Sequence, residues 1–219
     1  MIIKNFMMKP SDTANAYDQI THLWESEEFN RNNGIEQHKR ALAFVKNRGN
    51  ALDVGCGCTG RFIDLLCDQG FAPVGVDISS NMLDLAKKRH PEIRFYQQDI
   101  CAWELPAKYD FITAWDSIWH VPLDQQEQVL TKLVASLNAG GVFIFSCGGT
   151  DEADEHTDDF MGPDVYYSSL GINGVLKLLM NLSCVVRHVE YDQHPQLHAF
   201  FIVQKISQRV QYTSVDAIS

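Results

Sequence analysis

No stretch of 18 apolar residues runs through this chain, so no segment has the length and apolarity of a membrane-crossing helix. No basic run longer than Lys87-Lys88-Arg89 occurs either. Lys and Arg number 18 against 28 Asp and Glu, a formal charge of −10 at pH 7. Nucleic-acid binding relies on Lys and Arg neutralising phosphates, so DNA, RNA and anionic membrane surfaces are not expected partners. None of the six cysteines forms a C-x-x-C pair, which removes the usual sequence signature of a zinc or dithiol site. They read as free, mostly buried thiols of a reducing compartment, and no metal is expected. The N-terminal MIIKNFMMKP lacks an A-x-A cleavage signal, so a cytoplasmic setting is the expectation. No internal repeat is visible.

What is present is one domain's worth of chain: 219 residues, 45% apolar and 21% charged. Helical patterns cover residues 11–28 and 35–46, broken at Asn32-Asn33-Gly34. From residue 50 the chain alternates β and α. Strands are predicted at 50–54, 72–77, 93–98, 109–115 and 141–147, and helices at 60–69, 79–89, 124–138 and 167–181. This alternation predicts a parallel sheet with helices on both faces. Residues 184–191 and 197–205 read as a closing hairpin, which requires one antiparallel strand. Residues 151–160 hold six acids and read as a solvated loop, without the fixed geometry a divalent cation needs.

The densest information lies in Ala51-Leu52-Asp53-Val54-Gly55-Cys56-Gly57-Cys58-Thr59-Gly60. A short apolar run ends in an acid and a glycine-rich turn, and a helical pattern follows at once. Glycine permits positive φ and removes the side chain that would block a ligand. The helix start presents free N–H groups and the positive end of its dipole. A second apolar run, residues 71–77 (FAPVGVD), ends in Asp77, about 20 residues after the glycines, where a carboxylate accepts ribose hydroxyls. On these features NAD and S-adenosylmethionine fit equally.

Asp53-Val-Gly-Cys-Gly, Val76-Asp77-Ile78-Ser79 and Gln98-Asp99-Ile100 together resemble three successive motifs of class I S-adenosylmethionine-dependent methyltransferases. The resemblance spans residues 17–205. It implies a Rossmann-like, doubly wound α/β fold with a seven-stranded sheet in the order 3-2-1-4-5-7-6, strand 7 antiparallel, plus N-terminal helices. It implies that Asp53 shapes the loop, that Gly55, Cys56 and Gly57 lie against the cofactor, that Asp77 with Ile78 holds the ribose, and that Asp99 with Ile100 receives the adenine. Tyr17, of the Tyr-Asp pair in the first helix, and Trp115, after the fourth strand, complete the implied cofactor set. One departure is the loop itself: Cys58-Thr59 separates Gly57 from Gly60, one residue more than the G-x-G-x-G of many members.

Ligands of open α/β sheets bind beyond the carboxyl ends of the strands. That edge carries the candidate bases His120 and His198, and the candidate acceptor contacts Trp119, Tyr166 and Tyr167. His194 and His198 are four apart with Pro195 between them, not the helical pair of a zinc site. The organisation expected is a helical cap over residues 1–48, a methyltransferase domain over 49–207 and a tail over 208–219. The expected activity is methyl transfer from S-adenosylmethionine to a small-molecule acceptor, in a monomer or homodimer. The alternatives are a non-catalytic module that binds the same nucleoside, and an NAD-dependent oxidoreductase, for which no Tyr-x-x-x-Lys pair is present and little chain remains.

Overall fold

The computed structural model describes residues 9–206; the tail expected at 208–219 lies outside them. Three helices come first, α1 (Pro10–Gln19), α2 (His22–Glu25) and α3 (Ile35–Leu42). There follow β1 (Asn50–Val54), α4 (Arg61–Asp68), β2 (Ala72–Asp77), α5 (Ser80–Arg89), β3 (Arg94–Gln97) and β4 (Tyr109–Ala114). After a 3-10 turn at Ile118–His120 come α6 (Leu123–Ala135), β5 (Leu137–Gly148), β6 (Asp154–Asp158), β7 (Val165–Ser169), α7 (Gly171–Asn181), β8 (Cys184–Tyr191) and β9 (His198–Lys205).

Seven strands form one sheet in the order β3-β2-β1-β4-β5-β9-β8. Strands β1 to β5 pair in parallel, and β9 runs antiparallel to both β5 and β8. Counting only strands of this sheet, the order is the 3-2-1-4-5-7-6 expected from sequence. Successive side chains of a strand point to opposite faces, and the central strands are apolar at nearly every position, as a sheet covered on both faces requires. Ile112, Phe143, Phe145, Phe201 and Val203 face one layer, filled by Val129, Leu130 and Leu133 of α6 and Leu179 of α7. Their neighbours Phe111, Val142, Ile144, Phe200 and Ile202 face the other, closed by Ala41 and Leu42 of α3 and Phe62 and Leu66 of α4. Each such fully buried side chain contributes about 1.5–3 kcal/mol of transfer free energy.

Three expectations about elements are corrected. The helix expected over 11–28 breaks after Gln19, so α1 and α2 are separate. The helix expected over 167–181 begins only at Gly171, whose φ of +71° marks a turn. The residues before it form β7, which pairs with β6 in a two-stranded ribbon. The acidic stretch is therefore half of a hairpin rather than a loop. Its second strand packs against the 3-10 turn after β4, with the Tyr166 carbonyl on His120 and the Ser168 hydroxyl on the Val121 carbonyl, and it is through this ribbon that Tyr166 and Tyr167 are placed.

Candidate functional site

A cavity of about 680 Å³ opens at the carboxyl ends of the parallel strands, within the size range of small-ligand pockets. Pro10, Thr13 and Tyr17, one helical stripe of α1, line one side of it. The loop after β1 lines another. Gly55, Gly57 and Gly60 all have positive φ, +67°, +55° and +68°, but for different reasons. A Cβ on Gly55 would fall 2.3 Å from Ser117 Cβ, and one on Gly60 2.2 Å from His90 Cε1. Those two glycines let neighbouring protein approach. At Gly57 a Cβ would meet nothing within 4 Å, so its backbone faces open cavity. The extra residue in the loop therefore leaves Gly60 as the left-handed cap of α4, packed on His90.

Asp77 ends β2 beside Gly57. Its Oδ2 accepts the Gly57 N–H at 2.8 Å and its Oδ1 the Ser79 N–H at 2.9 Å. Burial raises its pKa, while the N–H groups of Ser79, Gly57 and Ile78 pull it down. Each oxygen keeps a lone pair for a further donor. Ile78, Asp99 and Ile100 line the same side, with Asp99 fixed by accepting the Cys101 N–H at 2.8 Å. Cys56 and Trp115 also reach the cavity, Trp115 mainly as a core residue packed against Phe62, His38 and Phe200. Asp53 does not line it. It lies behind the loop, 2% exposed, where burial holds its carboxyl up at about 7, against the Arg61 charge.

The two candidate histidines occupy opposite electrostatic settings. His120 Nδ1 donates to the Tyr166 carbonyl at 2.8 Å, which leaves Nε2 as an acceptor. Nε2 receives both the Tyr17 hydroxyl at 2.6 Å and the Trp119 indole N–H at 3.0 Å. Burial lowers the His120 pKa to about 4. An imidazole near its ordinary pKa, free to take a proton, is thus not what the structure holds there. His198 lies between two carboxylates: Nδ1 bonds Asp192 Oδ1, and Nε2 bonds Asp116 Oδ1 at 3.1 Å. Burial pulls its pKa down, but the bonds and charges of Asp116 and Asp192 outweigh it and the net direction is up. Both nitrogens thus face carboxylate oxygens, an arrangement that favours the imidazolium.

Asp116 is the hub that sequence analysis left out of the site. It follows β4 with a positive φ of 54°, a conformation that Asp tolerates better than most residues. Its N–H donates to Ser146 Oγ at 2.7 Å, and its Oδ2 accepts from Asn33 Nδ2 at 3.2 Å and faces Arg61 at 3.9 Å. Arg61 in turn donates to the Asn33 carbonyl and to Thr59 Oγ1. These partners lie up to 83 residues from Asp116 in sequence, so no local pattern announces them; the signal available was an acid immediately after a buried strand.

Of the acceptor-contact candidates, Trp119 and Tyr167 line the cavity. Tyr166 does not: alternation along β7 turns it away, its hydroxyl accepting the Leu123 N–H and donating to Glu155. Among the described residues there is no cluster suited to a metal ion and no helix long and apolar enough to cross a membrane.

The family model of a methyltransferase domain matches residues 51–141, the stretch from β1 through the start of β5's central pairing. The chain is 25% identical over 146 residues to an uncharacterized methyltransferase of Alkaliphilus oremlandii, covering 62% of this chain and 67% of that protein. It is 26% identical over 140 residues to the phosphoethanolamine N-methyltransferase of Plasmodium falciparum, covering 61% of this chain and 53% of that one. It thus spans about two thirds of the first relative and about half of the second. Among solved structures, the magnesium protoporphyrin IX methyltransferase of Synechocystis, with S-adenosylmethionine bound, superposes with a TM-score of 0.68 at 14% identity, over 92% of this chain and 100% of that one. An S-adenosylmethionine-dependent methyltransferase of Clostridium acetobutylicum gives 0.61 at 17% identity, over 90% and 99%. With the sheet order, the glycine loop and the acid at the end of β2 in place, residues 51–141 are a methyltransferase domain, set in the fold of the class I S-adenosylmethionine-dependent methyltransferases.

Proposed function

We propose that this protein transfers a methyl group from S-adenosylmethionine to a small-molecule acceptor. The observation that carries this reading is the pairing of Asp77, whose two oxygens are each held by one backbone N–H and free for one more donor, with Gly57, whose Cβ direction is empty. That combination fits a ribose diol lying against a backbone that must come close. When bound, the sulfonium nucleoside supplies an already activated methyl carbon.

The chain's own residues do the remaining work. Asp77 and Ile78 hold the ribose, Asp99 and Ile100 receive the adenine, and Gly55, Cys56 and Gly57 shape the loop around the methionine end, with Asp53 supporting it from behind. Arg61, at the first turn of α4, adds positive charge on the loop's far side. Tyr17 and Trp115 close over the cofactor. Residues 9–48 act as a cap, excluding water so that electrostatic interactions inside are stronger. Trp119 and Tyr167 contact the acceptor, while His120 positions Tyr17 and Trp119 by accepting from both. The acidic chain and the size of the cavity support a small acceptor over a nucleic acid. So do the relatives named for phosphoethanolamine and magnesium protoporphyrin IX.

Calorimetric titration with S-adenosylmethionine, S-adenosylhomocysteine and NAD tests the reading. Saturable binding of the two sulfur nucleosides without NAD is expected. Binding of NAD alone, or of none of the three, overturns it.

A further inference from the structure

Asp99, proposed to receive the adenine, stands on a segment without regular structure. From Gln98 to Lys108 the chain has neither α-helix nor strand. A tight turn sets its position instead. The Ala102 and Trp103 N–H groups donate to the Asp99 carbonyl at 3.1 and 2.8 Å. The Cys101 N–H donates to the carboxylate itself, Oδ1, at 2.8 Å. Trp103 ends the turn by packing on Tyr96 of β3, with ring centroids 5.0 Å apart. Folded in this way, the carbonyls of Ile100, Cys101 and Trp103 converge on one point. Backbone oxygens outside a helix or sheet must find their donors elsewhere.

One side chain supplies them. Lys132, in the last turn of α6, directs Nζ at all three carbonyls: that of Ile100, that of Cys101 at 3.3 Å and that of Trp103 at 2.9 Å. An ammonium has three N–H bonds, so each is spent on this turn. Burial lowers the Lys132 pKa, while Cys101, Glu104 and Asp99 act in the opposite direction. Lys132 does not line the cavity, whereas Asp99, Ile100 and Cys101 do.

The Ile100 carbonyl matters most of the three. It belongs to the same peptide unit as the Cys101 N–H that holds Asp99. Hydrogen bonds in a chain polarise one another, so an ammonium on the oxygen of that amide strengthens its N–H as a donor. The pull of Lys132 thereby reaches Asp99 Oδ1 through a single peptide group. The other carboxylate oxygen, Oδ2, has no partner among the described residues.

Resting on the methyltransferase reading, we infer that Lys132 is a positioning residue for base recognition: it fixes the Ile100–Cys101 amide from behind the turn and so aims Asp99 at the 6-amino group of the adenine. Helix α6 contributes no residue to the cavity lining, yet by this route it takes part in selecting the nucleoside.

Calorimetric titration with S-adenosylhomocysteine and with S-inosylhomocysteine, in which oxygen replaces the 6-amino group, tests this. The wild-type protein should prefer the amino form on the order of 100-fold, because the replacing oxygen would face a carboxylate. Lys132→Met keeps the apolar stem and removes the donors. It should cut the preference about fivefold or more, chiefly through weaker binding of the amino form. A lysine that only stabilised the fold would weaken both ligands alike. Asp99→Ala should abolish the preference, and adding Lys132→Met to it should change the ratio no further. Thermal unfolding reports whether each variant is folded; where Lys132→Met is not, Lys132→Gln takes its place with the same expectation. An unchanged ratio in a folded Lys132 variant, or an effect of Lys132 that persists undiminished without Asp99, overturns the inference while the methyltransferase reading stands. Equal binding of the two nucleosides by the wild-type protein does the same. Failure of the wild-type protein to bind S-adenosylhomocysteine overturns that reading, and this inference with it.

Discussion

Asp53 gives a prediction that can be worked through to a number. In the folded chain burial holds its proton on until about pH 7, whereas the ordinary value is 3.8. Between those values the native state carries a proton that the unfolded chain has released, so stability falls as pH rises and levels off above 7. From pH 5 to pH 8 the native carboxyl gives up its advantage over about two pH units, which at 1.36 kcal/mol per unit is about 3 kcal/mol. Asp53→Asn keeps the volume and removes the proton, so it should lack this fall. For a chain of this size 1 kcal/mol moves the melting temperature by roughly 2–4 °C. The wild-type protein should therefore lose about 6–12 °C more than the variant between the two pH values. His198 and Asp77 also titrate abnormally, but they are present in both proteins, and only their coupling to Asp53 fails to cancel. Thermal and urea unfolding of both ligand-free proteins at pH 5, 6, 7 and 8 makes the comparison. Parallel stability curves would mean that Asp53 ionises normally in the fold, and the account of a charge withheld behind the glycine loop would be wrong.

Other consequences are as direct. Asp77→Ala removes two charge-assisted bonds to the ribose, about 3 kcal/mol together, so S-adenosylhomocysteine affinity should drop on the order of 100-fold in calorimetry; unchanged affinity would refute the ribose assignment. Tyr17→Phe deletes one hydrogen bond while Trp119 still serves His120, and should cost about 1 kcal/mol in urea unfolding. His120→Ala strands the Tyr17 hydroxyl, the Trp119 N–H and the Tyr166 carbonyl and leaves a hole, so about 3 kcal/mol or more is expected, with turnover falling further than cofactor affinity; equal costs for the two variants would contradict the network. Gly34→Ala would set a Cβ 2.8 Å from Trp115 Cε2 at a φ of +84°. Left-handed strain and overpacking together should destabilise by about 2–4 kcal/mol, and a near-neutral melt would show that α3 can shift away from Trp115.

The sheet was legible because its strands are short apolar runs punctuated by glycine and acid, and because Asp53, Asp77 and Asp99 each follow or end one of them. The β6–β7 ribbon was not. Asp154–Asp158 reads DEHTD, polar at every position and almost fully exposed, so neither periodicity nor β-propensity distinguishes it from a loop; only pairing with Val165–Ser169 makes it a strand. That same pairing decides which of two adjacent tyrosines faces the cavity, something their order in sequence leaves open. The cofactor side of the site was written locally, in one turn and the acids near it. The acceptor side was not, since His120 is defined by Tyr17 and Tyr166, and His198 by Asp116 and Asp192, partners that only the finished fold brings together.

Two neighbouring residues of α1 reach in different directions. Tyr17 bonds His120 beyond β4, while Asp18 accepts from the Ser79 hydroxyl and from the Asn81 N–H at the start of α5. The helix is thereby pinned across the opening, with one anchor beside the ribose carboxylate and one beside the acceptor wall. A path beneath α1 opens only when both anchors release together, so a ligand that takes it exchanges at the pace of that opening, and its measured affinity carries the fraction of time the helix stands open. Severing Asp18 would speed exchange of a ligand that Asp18 itself never touches.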